Sequence, residues 1–369
     1  MKFLGLYLLL TLFTPALHAE LCNEVLLRKA GLRQTLESDL SITRLKEGHS
    51  FTYFNSRGQR ITNPRLLARL QALRFRPNIK VAQFSRDPLG HVQAVGRDDQ
   101  SRLQYKYHPR WDKVAAETKF DQLVSFGSQL PRLRAITESA LAQDGLPFER
   151  VLAGLVQLLD KTLIRVGGER YARNKSSYGL TTLRAKHVID VQGDTIVFSF
   201  IGKSGQPNNS ELEDGPLAEL IVELLDSPGQ RVFKYLDDDD VWHDVSDSDV
   251  NDYIKEVTAS DFSAKDFRTW GGTVAAMTFL HSTEERPSSE RAMNALFKQA
   301  ADRAANVLNN TRGVARKNYI DPRVFETYKN DPDLFAASYR KAASALARRD
   351  RRLSLDEQAT LYLLRAAAR

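Results

Sequence analysis

The sequence predicts an α+β protein, with a small N-terminal domain of strands and helices followed by a larger, mainly helical domain. The 369 residues suffice for about two domains. Short strand-like runs between turn residues dominate up to about residue 110, whereas apolar residues recur at helical spacing beyond it. We therefore assign residues 30–110 to the N-terminal domain and residues 111–330 to the larger domain, with a basic helical tail at 331–369.

Turn signals define the elements of the N-terminal domain. Residues 51–54 and 59–61 flank a turn that contains Gly58, which predicts a β-hairpin. An apolar stripe over residues 64–74, with Pro64 at its start, predicts an amphipathic helix. Further strands are expected near residues 79–84, 91–95 and 102–107.

Helical periodicity defines the larger domain. Residues 149–166 and 288–308 each carry an apolar face at helical spacing, and Arg165 is expected to close the first of these helices. Between them, residues 195–201 are rich in β-branched and aromatic side chains and lead into Gly202-Lys-Ser-Gly205. This pattern predicts a strand followed by a hairpin turn.

The sequence carries no recognisable metal or nucleotide motif. Cys22 is the single cysteine, and no two of the seven histidines are four residues apart. The acidic segment from Asp237 to Asp252 lacks the pattern of an EF-hand, so we interpret it as a solvated turn with Ser248 capping the next helix. The segment at Gly202 lacks the earlier glycine of a phosphate-binding loop, because that position is Val197. We expect no cofactor and no metal.

Charge and hydropathy indicate the class of partner. The formal net charge of +7 favours a polyanion such as nucleic acid. The lack of an apolar run of about 20 residues excludes a multi-span membrane protein. Residues 1–19 nevertheless have the features of a secretory signal: Lys2, an apolar run, and small residues ending at Ala19. The alternative is a fortuitous leader added by an upstream or mispredicted start codon.

Several cationic or polar residues and one phenol lie in unusual settings. Each one alone is more simply explained as a helix cap, a solvated side chain or a packing residue. Their order along the chain and their flanking residues indicate a shared site. These candidate residues are Arg165, Lys203, Lys265, Arg268, Asn310 and Tyr319.

With these flanking residues the chain resembles the bacterial, poxvirus-like type IB DNA topoisomerases. The resemblance extends from about Ala30 to about Tyr328 and leaves residues 1–29 outside as a leader. The segments that carry it are Gln104-Tyr-Lys-Tyr-His-Pro-Arg-Trp111, Leu163-Ile-Arg-Val-Gly167, Gly179-Leu-Thr-Thr-Leu183, Gly202-Lys203, Lys265-Asp-Phe-Arg-Thr269 and Lys317-Asn-Tyr319.

The resemblance implies an isomerase that relaxes supercoiled DNA without ATP, with a fold of the type IB topoisomerase and tyrosine recombinase kind. One strand is cut through a 3′-phosphotyrosyl intermediate and is then religated. The covalent ester stores the bond energy, so neither ATP nor a metal is required. The fold implied is a clamp around double-stranded DNA, with residues 30–110 as its N-terminal part.

The resemblance also implies a role for each catalytic candidate. Tyr319 matches the nucleophile, and the phenol of a free tyrosine, with a pKa of about 10, needs nearby cations to ionise at neutral pH. Arg165 and Arg268 match the arginines that bind the phosphoryl oxygens and stabilise the transition state. Lys203 matches the general acid that protonates the leaving 5′-oxygen. A lysine suits this role because burial can lower its pKa. Lys265 is expected to assist it.

The chain departs from the viral enzymes at two positions. Asn310 stands where those enzymes have histidine, and its amide can still donate a hydrogen bond to a phosphoryl oxygen. Gly168 stands where they carry a base-contacting lysine, which argues against a strict site preference. Tyr105, Tyr107 and Tyr171 match DNA-contacting tyrosines.

Two alternatives of other classes stay open. A tyrosine recombinase uses the same arginine, lysine and tyrosine chemistry. Its second arginine usually belongs to a His-x-x-Arg pattern, whereas here Lys265 stands three residues before Arg268, in the place of that histidine. A non-catalytic architectural DNA-binding protein would need only a basic face. For the favoured interpretation we expect double-stranded DNA as partner, a monomer without membrane association, and a place at the nucleoid in the cytoplasm. Residues 1–19 are then non-functional as a signal.

Overall fold

The computed structural model describes residues 24–48, 50–98, 103–117, 120–346 and 352–367. By contacts the chain divides into two compact units, Met1–Asp121 and Gln122–Arg369. The signal-like residues 1–19 and most of the basic run at 348–352 lie outside the described residues. Within the described part, no helix has the length and apolar character needed to cross a membrane.

The N-terminal unit is built on a five-stranded antiparallel sheet with strand order β2-β1-β3-β4-β5. Leu70 and Phe84 lie in its core and are fully buried. The strands are β1 (Ile42–Glu47), β2 (Ser50–Phe54), β3 (Val81–Phe84), β4 (Val92–Arg97) and β5 (Leu103–Tyr107), and the helices are α1 (Glu24–Ala30), α2 (Pro64–Ala72) and α3 (Pro109–Glu117).

The sequence predicted most of this unit. Helix α2 is confirmed, with Asn63 accepting a hydrogen bond at its N-terminus, and so are the last three strands. The predicted hairpin is only partly correct: β2 pairs along its length with β1, and the predicted return strand forms an isolated bridge between Phe54 and Arg60. Strand β1 was missed because Arg44 occupies an inward position, where it donates to three backbone carbonyls and lies over Phe51.

The C-terminal unit is mainly helical. Helix α9 packs against several helices of the unit, and α5 is buried from Arg150 to Leu159. Its helices are α4 (Leu123–Leu141), α5 (Phe148–Thr162), α6 (Glu169–Lys175), α7 (Gly215–Asp226), α8 (Asp247–Thr258), α9 (Ala264–His281), α10 (Glu290–Val307), α11 (Arg312–Asn318), α12 (Pro322–Asn330), α13 (Pro332–Leu346) and α14 (Leu355–Ala367).

Two small antiparallel sheets complete the unit. One is three-stranded, with β7 in the middle, and the other is a pair. The predicted strand at 195–201 and the hairpin turn after it are confirmed. The strands are β6 (Val188–Gln192), β7 (Thr195–Ile201), β8 (Pro207–Glu213), β9 (Lys234–Leu236) and β10 (Trp242–Asp244).

Two local predictions were wrong. Helix α5 ends at Thr162 rather than at residue 166, because Leu163 adopts a left-handed conformation with φ of 54°. Arg165 therefore lies beyond the helix instead of closing it. Helix α8 is capped by Ser246 and not by Ser248, because the capping side chain must precede the first helical residue in order to reach the free N–H groups.

The C-terminal helices pack into the same unit. Leu363 and Leu364 of α14 are fully buried. Glu357 of α14 accepts hydrogen bonds from Arg134 of α4 and from the indole of Trp270 on α9. Helix α14 thus contributes to the packing around α9, on which candidate site residues lie.

Candidate active site

One cleft in the C-terminal unit collects most of the residues that the sequence singled out. Its volume is about 260 Å³. The candidate residues that line it are Arg165, Tyr171, Lys203, Lys265, Arg268 and Tyr319. Asn310 joins them through a direct contact with Arg165. Residues that lie far apart in the sequence therefore meet at one place.

Arg165 lies in the segment between α5 and α6. The carbonyl of Arg165 accepts from the N–H of Leu180 at 3.0 Å. A Cβ on Gly179 would lie 2.6 Å from that carbonyl oxygen, so only glycine permits this approach. The guanidinium donates from Nη2 to Oδ1 of Asn310 at 2.5 Å. Burial lowers the pKa of Arg165, and the nearby Tyr319 opposes that shift.

The contact with Arg165 sets the orientation of the Asn310 amide. Its oxygen faces the guanidinium, so its nitrogen points elsewhere. That nitrogen is buried and has no hydrogen-bond partner among the described residues. A buried amide donor without an acceptor is costly, which makes it a ready contact for an oxygen that comes from outside the protein.

Arg268 is buried in the first half of α9, with 4% of its surface exposed. Its two terminal nitrogens donate to the carbonyls of Leu163 and Leu308, the latter at 2.8 Å. These residues follow the last turns of α5 and α10, where a cation is favoured by the helix dipoles. Arg268 thereby joins the ends of two helices, while its Nε is buried and unpartnered among the described residues.

The charge of Arg268 persists despite its burial. Burial, together with the neighbouring charge of Arg165, lowers its pKa to about 10, and Tyr319 opposes the shift. A guanidinium with that pKa remains protonated at neutral pH. The cleft therefore holds two partly or fully buried positive charges close to one tyrosine.

Tyr319 directly follows α11. The Cζ atom of Arg268 lies 5.2 Å from the centre of the Tyr319 ring. Its carbonyl accepts a hydrogen bond from the hydroxyl of the buried Thr273 at 3.3 Å. A Cβ on Gly272 would lie 2.7 Å from the same carbonyl oxygen. Helix α9 thus approaches the tyrosine backbone closely because it carries glycine at this point.

Lys203 and Lys265 are exposed at the cleft. Lys203 lies in the turn between β7 and β8, where Ser204 and Gly205 have φ of 63° and 72°. The burial that the sequence interpretation invoked for Lys203 is not found. Lys265 lies in the first turn of α9, where a cation gains nothing from the helix dipole, so its presence there is not explained by helix stability.

The positive charges of the cleft are not balanced by acidic side chains of the described residues. Among the described residues, no aspartate or glutamate forms an ion pair with Arg165, Arg268, Lys203 or Lys265. The ion pairs of that part of the chain lie elsewhere, as at Arg134. Uncompensated, partly buried cations around a phenol form a binding site for an anion such as a phosphodiester.

The three tyrosines expected to contact DNA lie in different units. Tyr171 of α6 lines the cleft with 47% of its surface exposed. Tyr105 and Tyr107 belong to the N-terminal unit, where they lie on one face of β5 with stacked rings 6.0 Å apart.

The sequence interpretation missed Tyr178, which also lines the cleft. Its ring packs against that of His187, with 4.3 Å between the centroids. Thr273 was missed as well. The available signal was adjacency: Tyr178 directly precedes the Gly179 segment, and Thr273 follows the Arg268 segment by a few residues.

Comparison with known proteins identifies the family. Residues 109–345 match the family described as eukaryotic DNA topoisomerase I, catalytic core. Residues 50–98 match the family described as bacterial DNA topoisomerase IB, N-terminal domain. The first match covers well over half of the chain. The chain belongs to the type IB DNA topoisomerase family.

Individual type IB topoisomerases are similar over much of the chain. DNA topoisomerase 1B of Acanthamoeba polyphaga mimivirus is 32% identical over 304 residues, which are 80% of this chain and 89% of that protein. DNA topoisomerase 1B of Vaccinia virus (strain Copenhagen) is 23% identical over 242 residues, 64% of this chain and 72% of that protein. DNA topoisomerase 1 of Schizosaccharomyces pombe is 26% identical over 175 residues, 47% of this chain and 20% of that protein.

The resemblance stated from the sequence is therefore confirmed, together with the α+β fold class and the enzyme class. The chain is a type IB DNA topoisomerase, and relaxation of DNA is the activity of that family. DNA is thus its partner.

Proposed function

We propose that this topoisomerase cuts one DNA strand with Tyr319 as the nucleophile. The phenolic oxygen attacks the phosphorus, the new O–P bond forms, and the bond from phosphorus to the 5′-oxygen breaks. A 3′-phosphotyrosyl ester and a free 5′-hydroxyl result, and the reverse reaction reseals the strand after rotation. The ester keeps the bond energy, so the cycle uses neither ATP nor a metal.

One observation carries this proposal: the phenol of Tyr319 lies beside Arg165 and Arg268 in a cleft where no carboxylate of the described residues neutralises them. The two non-bridging phosphoryl oxygens gain charge in the transition state. Guanidinium groups fixed in advance stabilise that charge without reorganising at the moment of reaction.

The unpartnered donors supply the remaining contacts. Nε of Arg268 and Nδ2 of Asn310 are buried donors without an acceptor among the described residues. A phosphoryl oxygen in the cleft is the acceptor that suits both. In this arrangement Asn310 provides a neutral hydrogen bond, while Arg165 and Arg268 provide charge.

Lys203 acts as the general acid. Its ammonium donates a proton to the leaving 5′-oxygen, while the proton of the Tyr319 phenol passes to solvent. Lys203 sits in the turn between β7 and β8 and lines the same cleft as Tyr319, and Lys265 assists from α9. Lys203 is exposed in the protein alone, so in this proposal the bound DNA supplies the desolvation that favours proton transfer.

The wider assignments extend the proposal to the DNA duplex. Residues 30–110 form the N-terminal part of a clamp and residues 111–330 its catalytic part. Tyr105, Tyr107 and Tyr171 contact the duplex, and the enzyme acts as a monomer. It works at the nucleoid in the cytoplasm.

A plasmid assay tests the central claim. Supercoiled plasmid is incubated with the enzyme in EDTA without ATP, and half of each reaction is stopped with SDS. We expect relaxed topoisomers and a protein–DNA adduct that survives SDS. Binding without relaxation would instead indicate an architectural protein, and a requirement for ATP or metal would refute the proposed cycle.

The proposed location has its own test. Residues 1–40 are fused to a reporter that is active only in the periplasm, and the N-terminus of the natural protein is determined by mass. We expect no reporter activity. Strong activity together with cleavage after Ala19 would overturn the cytoplasmic assignment and leave the catalytic one intact.

A further inference from the structure

The turn that carries Lys203 is held from outside its sheet at both ends. Ile201, the last residue of β7, faces Pro207, the first residue of β8, in the antiparallel ladder. The N–H of Tyr178 donates to the carbonyl of Ile201 at 2.8 Å. The side chain of Asn309 donates from Nδ2 to the carbonyl of Pro207 at 2.7 Å. These hydrogen bonds fix the pair of residues from which the turn projects.

The backbone at Asn309 is shaped for this contact. Asn309 lies between α10 and α11 and has φ of 46°. Asparagine and glycine tolerate this left-handed conformation better than other residues. Arg268 binds the carbonyl of the preceding residue, Leu308, and the following residue, Asn310, contacts Arg165. One residue thus links the arginine side of the cleft to the hairpin.

Lys203 depends on such a link because, among the described residues, the backbone hydrogen bonds of its turn run between residues 202 and 206 of the turn itself. The side chain of Lys203 is exposed, and a Cβ on Gly205 would meet no described atom within 4 Å. The position of the ammonium relative to the leaving oxygen is therefore set by where the ends of β7 and β8 are held. Misplacement of a catalytic group by about 1 Å can lower a rate about 100-fold.

We propose that Asn309 is a positioning residue that acts through Lys203, by holding the carbonyl of Pro207. This inference rests on the general-acid role of Lys203 proposed above. Asn309 itself touches neither the phosphate nor the reacting atoms in this assignment. Its loss must therefore affect protonation of the leaving group and not stabilisation of the phosphoryl charge.

The chemistry of the leaving group makes this distinction measurable. A 5′-oxygen must be protonated as it departs, whereas a 5′-thiolate departs without a proton. A defect that acts through Lys203 is therefore rescued by a 5′-thio substrate, and a defect in binding the phosphate is not. A general loss of structure slows both substrates alike.

Asn309→Gly is the primary variant, because glycine accepts the left-handed backbone and removes the amide together with its one methylene. Asn309→Asp keeps the size of the side chain but has no N–H to donate. Asn306→Ala is the matched control, since Asn306 is exposed and lines the same cavity of about 300 Å³ as Asn309. Single-turnover cleavage of both substrates is measured for each variant and for Lys203→Ala.

We expect Asn309→Gly to cleave the 5′-oxygen substrate about 10- to 100-fold more slowly than the unaltered enzyme. On the 5′-thio substrate its rate should be close to that of the unaltered enzyme. Asn309→Asp should show the same change in the ratio of the two rates, and Asn306→Ala should show none. DNA affinity and the thermal midpoint of Asn309→Gly should be retained.

Two results would overturn the inference. The first is an unchanged rate of Asn309→Gly on the 5′-oxygen substrate, and the second is equal slowing on both substrates while Lys203→Ala is rescued. If Lys203→Ala itself is not rescued, the general-acid assignment fails, and the inference about Asn309 fails with it. The Lys203→Ala reaction therefore separates the two failures.

Discussion

Two arginines with little solvent exposure, in different regions of the C-terminal unit, have opposite kinds of partner. Arg134, on α4, donates to Asp160 at 2.6 Å and to Glu357 at 2.7 Å. Arg268, on α9, has no acidic partner among the described residues and is bound by backbone carbonyls instead. The first charge is neutralised within the protein, whereas no carboxylate of the described residues neutralises the second.

The pKa values express the same contrast. Burial by itself lowers the pKa of Arg134, but the hydrogen bonds and charges of Glu357 and Asp160 outweigh it and raise the pKa above its ordinary value. For Arg268, burial and the charge of Arg165 act in the same direction and lower the pKa. Arg134 thus joins helices through its ion pairs, whereas Arg268 places a positive charge at the cleft. These two arginines therefore differ in their partners: carboxylates neutralise Arg134, whereas backbone carbonyls leave the charge of Arg268 in place.

The largest effect is expected from the nucleophile. Tyr319→Phe removes only the phenolic oxygen, so it should abolish the covalent adduct and plasmid relaxation while DNA binding is retained. Adduct formation is measured after SDS treatment and binding by fluorescence anisotropy. An SDS-stable adduct in this variant would show that another residue is the nucleophile, and that the cationic cleft is not where the strand is cut.

The next effect concerns the two arginines of the cleft. Arg165→Ala and Arg268→Ala should each slow single-turnover cleavage at least about 100- to 1,000-fold, as loss of a preorganised donor does. Arg268→Ala should lower the thermal midpoint more than Arg165→Ala, because it frees two backbone carbonyls whereas Arg165→Ala frees one amide oxygen. Cleavage rates near that of the unaltered enzyme would place both arginines with Arg134 as structural residues.

A smaller loss is expected at Asn310. Its amide contributes a neutral hydrogen bond, and hydrogen bonds from charged donors are about twice as strong. Asn310→Ala should therefore cleave faster than Arg268→Ala, and Asn310→His should retain activity. The measurement is the single-turnover rate of the three variants side by side. An inactive Asn310→His enzyme would show that the amide has a task that imidazole cannot perform.

The smallest effect on catalysis is expected from the neutralised arginine. Arg134→Met leaves Asp160 and Glu357 buried without a cation, which should lower the free energy of unfolding by about 3–5 kcal/mol. The cleavage rate of the folded fraction should change little. Arg173→Met is the matched control, since the Arg173–Glu169 pair is exposed and should contribute less than about 1 kcal/mol. Equal unfolding free energies in the two variants would remove the contrast between the regions.

The sequence predicted which residues line the cleft, but not the hydrogen bonds that position them. Arg165, Lys203, Arg268 and Tyr319 each lie in a short segment whose residue order can be recognised, and all of them line the cleft. The hydrogen bonds that position them were not predictable in this way. The carbonyl contacts of Arg268 depend on where two helices end, and helix ends are the part of a helix that sequence patterns predict least reliably.

The fold shows the same division. Periodicity identified α2 and α10 closely, since each exposes one face and buries the other. It failed at β1, where a buried arginine interrupts the alternation of polar and apolar residues. It placed α14 only within a basic helical tail, whereas one side of the helix, with Leu363 and Leu364, is fully buried.

The position of α14 has a consequence for synthesis of the chain. Glu357 and Leu364 contact Trp270 and Arg323, which flank the arginine and the tyrosine of the cleft in sequence. When the ribosome has just added Tyr319, the residues Glu357 and Leu364 of α14 have not yet been synthesised. The residues of the cleft are therefore all translated before the packing that surrounds them is complete, and we expect nascent chains that stop after Tyr319 to lack a stable catalytic unit even though every candidate catalytic residue is present in them.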